Sequence, residues 1–93
     1  MEIELTENFW ASFEKIYTYI AKDKLSAAQN FRRRLLEQIK TIPDFPYQYR
    51  QSRYYDNHNY RDMIFRKYTI VYTIDTPADC IVVLDIFNRN QPL

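Results

Sequence analysis

The sequence predicts an α+β domain, a fold class in which helices and strands occupy separate parts of the chain. Apolar residues recur at helical spacing between residues 7 and 42, and β-forming residues dominate from residue 60 onward. A short alternating segment precedes both regions. At 93 residues the chain has room for one core, so we expect a single domain over residues 1–93.

The first segment predicts a strand followed by an amphipathic helix. Residues 1–5 alternate charged and apolar side chains, which is the period of a half-buried strand. Thr6 is the expected N-cap, because its hydroxyl can accept a hydrogen bond from a free backbone N–H group in the first helical turn. Aromatic and aliphatic residues then recur every three or four positions, which predicts a helix over residues 7–22.

A second helix follows after a short connection. Its apolar residues keep the helical spacing from Ala28 to Ile42. Asp23 or Ser26 is the expected N-cap. Pro43 ends this helix, because proline lacks the N–H group that the helical hydrogen bond needs. The connection spans only a few residues, so we expect the two helices to form an antiparallel hairpin.

The remainder predicts antiparallel strands joined by turns. Residues 60–66 and 68–75 are rich in β-forming side chains, and residues 80–87 are almost continuously apolar. We expect this last strand to be central in the sheet and covered on both faces. The full prediction is an N-terminal strand and a helical hairpin packed on one face of a mainly antiparallel sheet of about four strands.

Composition excludes several classes of site. The chain has no glycine, so it contains neither a P-loop nor a dinucleotide-binding fingerprint. One cysteine and one histidine are too few for a structural zinc site, and we expect no metal and no cofactor. There is no apolar run long enough to span a membrane and no signal peptide, which predicts a cytoplasmic protein.

The positive charge is concentrated in the middle of the chain. Residues 32–67 carry nine Lys or Arg against four Asp or Glu, whereas both flanking segments are net negative. The Tyr- and Arg-rich stretch 47–60 lies within this region, and His58 is expected in a loop there. A basic surface of this kind suits an acidic or anionic partner.

The order of these segments resembles the RelE/ParE superfamily of toxins from bacterial type II toxin–antitoxin systems. The segments that carry the resemblance are Ala28-x-x-Phe31-x-x-x-Leu35, Ile42-Pro43-x-Phe45-Pro46, Tyr60-Arg61-Asp62-Met63-Ile64, Tyr68-Thr69-Ile70-Val71-Tyr72 and Ile86-Phe87-Asn88-Arg89-Asn90-Gln91-Pro92. The resemblance implies a toxin of the plasmid-stabilisation type that a cognate antitoxin neutralises. RelE-like members enter the ribosome and cut mRNA without a metal, whereas ParE-like members poison DNA gyrase.

The resemblance also directs attention to particular residues. Metal-free RNA cleavage needs a base, an acid and a cation near the phosphate. Arg61 matches an arginine of the family, but Thr69 stands where many nuclease members carry arginine. The last strand ends at Arg89 without the His or Tyr that nuclease members usually place there. The main hypothesis is therefore a ParE-like, gyrase-directed toxin that is not an enzyme.

Two alternatives stay open. The first is a ribosome-dependent mRNA endoribonuclease with the candidate catalytic residues Arg61, Arg66, Lys67 and Arg89. The second is a degenerate, non-toxic binding module. In each case the target or the antitoxin is expected to contact Arg61, Arg66, Lys67, Asn88 and Arg89.

Arg61 also has a purely structural interpretation. It shares a strand with largely apolar residues, and a buried arginine needs a carboxylate partner. Asp62 and Asp85 are the candidates for that ion pair.

Overall fold

The computed structural model describes residues 1–90. In chain order its elements are β1 (Glu2–Leu5), α1 (Glu7–Asp23), α2 (Leu25–Ile39), a single-turn 3₁₀ helix (Ile42–Asp44), β2 (Tyr60–Phe65), β3 (Tyr68–Asp75) and β4 (Cys80–Asn88). Gln91 and Pro92, which end the last motif, and Leu93 lie outside the described residues.

The four strands form one mixed sheet in the order β1-β4-β3-β2. β3 pairs antiparallel with both β2 and β4, whereas β1 pairs parallel with β4. Both helices contribute to a core with the inward side chains of this sheet, which leaves its opposite face without a helical layer. The predicted α+β architecture is confirmed.

Thr6 begins α1 as predicted. Its Oγ1 accepts a hydrogen bond from the backbone N–H of Phe9 at 3.1 Å, which satisfies one donor of the first turn. The same hydroxyl donates to the carbonyl of Leu84 at 3.1 Å, and the Thr6 N–H donates to Val83 O at 3.2 Å. The start of α1 is therefore fastened to the centre of the sheet.

The predicted N-cap of α2 is wrong. Asp23 is the last residue of α1, and a single residue, Lys24, separates the two helices. Lys24 has an extended backbone with φ −156°, and no side chain caps α2. This joint leaves Ser26 inside the first turn of α2, where it cannot serve as the N-cap.

An aromatic chain connects both helices to the sheet. Phe13 on α1 and Phe31 on α2 stack with ring centroids 6.0 Å apart. The Phe31 ring then meets Phe65 edge-on at 5.7 Å and Tyr68 at 5.3 Å. All four side chains are buried, so these ring contacts join α1, α2 and the sheet within one core.

β4 is central in the sheet as predicted, but its face away from the helices is only partly buried. Ile81, Val83 and Ile86 are buried beneath the helices, whereas Val82 and Leu84 are only half-buried. The pairing register with β3 shifts at this point, so β4 carries an extra residue that changes the alternation of faces. Because a bulge changes which residues point to the core, a strand that is buried mainly on one face can have a continuous apolar run in its sequence.

Two turn residues other than glycine have a left-handed backbone conformation. Arg66 has φ 55° in the β2–β3 turn, and Asp79 has φ 52° before β4. This conformation is uncommon for residues other than glycine.

Candidate functional site

The outer edge of β1 is the open edge of the sheet. The N–H groups of Glu2 and Thr6 donate towards β4, to Asp79 O and Val83 O at 3.2 Å each. Since N–H directions alternate along a strand, those of Ile3 and Leu5 point away from β4. No strand of residues 1–90 pairs with them.

The opposite edge, on β2, is covered by the chain itself. The N–H of Ser52 donates to Tyr60 O at 2.7 Å, and the N–H of Asp62 donates to Arg50 O at 3.2 Å. An isolated bridge between Gln51 and Arg61 lies between these two bonds. Segment 50–52 thus shields the first half of β2, whereas β1 has a strand partner on one side only within residues 1–90.

A groove of about 630 Å³, lined by both apolar and charged side chains, adjoins the open edge. Ile3 and Leu5 form one side of it, and Leu36 and Ile39 of α2 form the other. Ile3, Leu5 and Leu36 are half-buried side chains that pack against the core. We call this the β1 groove.

A smaller groove of about 280 Å³ lies on the helical hairpin. Trp10, Phe13 and Tyr17 supply its apolar wall, and Arg32 of α2 closes it with its guanidinium carbon 6.0 Å from the Trp10 ring centre. Trp10 and Tyr17 remain half-exposed. This hairpin groove and the β1 groove both border α2.

Arg61 does not form the ion pair considered from the sequence. Its Nε donates to His58 O at 2.8 Å and its Nη1 to Tyr49 O at 3.0 Å. Its guanidinium carbon lies 4.9 Å from the ring centre of Tyr47. Arg61 faces the helical side of the sheet together with Met63, whereas Asp62 faces the opposite side.

The two expected carboxylate partners of Arg61 bind backbone groups instead. Asp62 Oδ2 accepts the N–H of Arg53 at 3.1 Å. Asp85 Oδ1 accepts the N–H of Ile86 at 2.8 Å. Arg61 is satisfied by carbonyl oxygens and an aromatic face, and it holds the loop that precedes β2.

The other predicted binding residues gather at the far end of β2. Arg66 and Lys67 form the β2–β3 turn, and the N–H of Arg89 donates to Lys67 O at 2.7 Å. Asn88 pairs with Tyr68 at the same end, and both border a cavity of about 450 Å³ with Lys67. The predicted set is therefore split, with Arg61 at one end of β2 and the remaining four at the other.

Arg89 has two neighbours that sequence reasoning did not single out. Arg50, Arg53 and Arg89 line one polar cavity of about 470 Å³ on the face of the sheet that lacks helices. Tyr54, Ile64, Thr69 and Asn90 complete its lining. The only signal in the sequence was the alternation of arginine and tyrosine over residues 47–60. We call this cavity the arginine pocket.

His58 lies in the loop before β2, as expected, with its ring stacked on Tyr47 at 6.1 Å. Within residues 1–90 no group of three or more His, Cys, Asp or Glu side chains is placed to hold a metal ion. In the same described range, neither helix has the length and hydropathy needed to cross a lipid bilayer.

Comparison with known proteins identifies the family. The family model "ParE toxin of type II toxin-antitoxin system, parDE" matches residues 3–93. Among solved structures, a chain of the chromosomal ParDE toxin–antitoxin system from P. aeruginosa matches with a TM-score of 0.74, 18% sequence identity and 95% of each chain covered. A search of curated proteins found no significant match. The structural match supports the fold, the family model spans nearly the whole chain, and the chain therefore belongs to the ParE toxin family of type II toxin–antitoxin systems.

Proposed function

We propose that this toxin acts on DNA gyrase and that its cognate antitoxin holds it inactive. The family match over residues 3–93 is the observation that carries the proposal. Gyrase poisoning is the activity that the resemblance to ParE-like members implies. The end of β4 supports it, because Asn88, Arg89 and Asn90 are not among the side chains that usually transfer protons in catalysis.

A supercoiling assay with purified gyrase and purified toxin tests the target. We expect the toxin to inhibit supercoiling and the antitoxin to restore it in proportion to its concentration. Primer extension on translated mRNA after induction is the complementary measurement. Normal supercoiling at every toxin concentration, together with discrete cuts inside codons, would replace gyrase by the ribosome as the target.

We place the antitoxin on the β1 groove and the hairpin groove. The outward N–H groups of Ile3 and Leu5 suit an added strand, since main-chain bonds give affinity in this binding mode. The half-buried apolar walls beside α2 suit a helix or the side chains of that strand. Both grooves border α2, so one continuous partner segment can occupy them.

Hydrogen exchange tests the added strand. The amides of Ile3 and Leu5 should exchange quickly in the free toxin and slowly in the complex, because only the complex gives them acceptors. The amides of Ser52 and Asp62 already have acceptors and should be protected in both states. Fast exchange of Ile3 and Leu5 in a saturated complex would rule out strand addition at β1.

A matched pair of α2 substitutions tests the β1 groove itself. Leu36→Lys places a charge in the groove, whereas Leu25→Lys makes the same change at an exposed position at the start of the helix. Loss of a central apolar contact commonly costs about 2 kcal/mol or more, so we expect antitoxin to dissociate from Leu36→Lys at least about thirtyfold faster. Equal dissociation rates for the two variants would contradict docking in this groove.

A further inference from the structure

We propose that the arginine pocket binds the phosphodiester backbone of a single-stranded nucleic acid. The pocket brings three guanidinium groups together from two distant parts of the chain, since Arg50 and Arg53 precede β2 and Arg89 follows β4. It lies on the sheet face away from α1 and α2, separate from the β1 and hairpin grooves. This inference is independent of whether the toxin inhibits gyrase.

The backbone around the pocket is fixed on both sides. Asp62 is buried in β2, where its N–H donates to Arg50 O and its Oδ2 accepts the N–H of Arg53. Arg89 is held by the bond from its N–H to Lys67 O at 2.7 Å. These bonds hold the Cα positions of three exposed arginines around one cavity, so the pocket exists before a ligand arrives.

The guanidinium groups of the three arginines form no ion pair within residues 1–90, although the buried Asp62 carboxylate binds the backbone N–H of Arg53. The ion pairs of this part of the chain join Arg33 to Glu37 and the N-terminal amine to Asp79. Hydrogen bonds of Arg50 and Arg53 here use their backbone groups. Three like charges around one cavity repel one another, and a bound anion relieves that repulsion.

The lining chemistry favours a phosphodiester strand over a single carboxylate. Each guanidinium carries five N–H donors, so three of them exceed what one carboxylate can accept and match a chain with an anion on every unit. The pocket contains no Asp or Glu, and Thr69 and Asn90 add further donors. Tyr54 forms part of the wall, with its ring held edge-to-face against Phe87 at 5.1 Å. Cations beside an aromatic ring are typical of sites for single strands.

Fluorescence anisotropy with labelled DNA and RNA single strands of about 12 nucleotides tests the proposal, because sites of this type span roughly 4 to 16 nucleotides. The pocket variant replaces Arg50, Arg53 and Arg89 with glutamine. The control replaces Arg32, Arg33 and Arg34, which are exposed on α2, and removes the same charge. Each lost phosphate contact lowers the slope of log affinity against log salt by about 0.7.

The pocket variant should therefore lose about two units of this slope and about a hundredfold in affinity near 0.1 M salt. The α2 control should lose far less. Arg50→Gln and Arg89→Gln singly should each cost about fivefold, which keeps the test valid if the triple variant does not fold. Tyr54→Leu should weaken binding by about tenfold with an unchanged slope, because it removes stacking and no charge. Comparing DNA with RNA shows which strand is preferred.

Three results would overturn the proposal. One is the absence of strand binding by the wild-type chain at low salt. Another is an equal loss in the pocket variant and the α2 control, which would reduce the effect to overall charge. The third is tighter binding of an oligoglutamate peptide of equal charge, which would make the pocket a site for an acidic protein segment. Gyrase inhibition by the pocket variant is a separate readout, so failure here differs from failure of the proposed function.

Discussion

Tyr72 joins the sheet to the segment that follows the helices. Its side chain is fully buried in β3, and its hydroxyl donates to Pro46 O at 2.6 Å. The Tyr49 ring meets it edge-on at 6.4 Å. Burial is the main reason that the pKa of Tyr72 lies well above its usual value, with Tyr49 adding to the rise and Arg61 opposing it. A neutral hydroxyl is therefore part of the folded state.

This shift predicts a pH dependence above about pH 10. In the unfolded chain Tyr72 releases its proton near pH 10, whereas in the folded chain it does so only at higher pH. Its contribution to the free energy of unfolding is fully present below about pH 10 and falls above it by up to about 1.4 kcal/mol per pH unit. Tyr72→Phe should remove this decline, at a constant cost of about 1 kcal/mol at lower pH for the lost hydrogen bond.

Urea unfolding of the wild type and Tyr72→Phe between about pH 8 and pH 11 measures the effect. The difference in unfolding free energy between the two should shrink as the pH rises through 10. Tyr19→Phe is the control, because the Tyr19 side chain is 71% exposed. If the difference in unfolding free energy between the wild type and Tyr72→Phe stayed constant over the whole pH range, the Tyr72 hydroxyl would titrate alike in the folded and unfolded states.

At the level of elements, one side chain at the start of α1 forms hydrogen bonds to both the helix and the sheet. The Thr6 hydroxyl caps α1 and also donates to the carbonyl of Leu84 on β4. Thr6→Ala should lower the free energy of unfolding by about 1–2 kcal/mol, since it removes the cap and one hydrogen bond to β4, while the Leu84 carbonyl keeps its bond from Asn8 Nδ2. Thr6→Ser keeps the hydroxyl and should cost less. Equal losses for the two variants in urea unfolding would show that the methyl group matters rather than the hydroxyl.

The helices and strands also show which parts of the fold can be predicted from patterns in the sequence. Apolar periodicity gave α1 and the three later strands close to their observed bounds, because one-sided burial imposes that periodicity. It could not give the N-cap of α2, since the one-residue joint at Lys24 depends on how the two helices pack. The bulge in β4 likewise depends on its pairing with β3, and it made Val82 and Leu84 look like core residues.

The same distinction applies to the site. Alternation along β2 puts Arg61 on the face of Met63, but it carries no information on which loop lies against it. The expected partners Asp62 and Asp85 were wrong for this reason. Arg50 and Arg53 come from a loop without periodicity, and only the folded chain brings them to Arg89.

At the level of the whole molecule, the basic middle segment is distributed over two faces. Arg32, Arg33 and Arg34 lie exposed on α2, whereas Arg66 and Lys67 lie exposed at the far end of the sheet, beside Arg89 from outside this segment. Arg61 is only partly accessible because carbonyl groups and Tyr47 surround it. A partner that approaches through solution therefore meets the exposed cations first, and long-range attraction acts mainly on the rate of association.

Exposed cations outside the antitoxin grooves should influence that rate. The double substitution Lys67→Gln with Arg89→Gln removes two neighbouring exposed charges outside both antitoxin grooves. For an acidic antitoxin we expect slower association, with the largest effect at low ionic strength, and a nearly unchanged dissociation rate. Lys22→Gln with Lys24→Gln removes the same charge from the exposed helical joint, where the surrounding segment is net negative, and should slow association less. Stopped-flow mixing over a range of salt concentrations compares the pairs. Equal slowing by both would mean that net charge alone governs the encounter, and a change confined to dissociation would place Lys67 and Arg89 inside the bound interface.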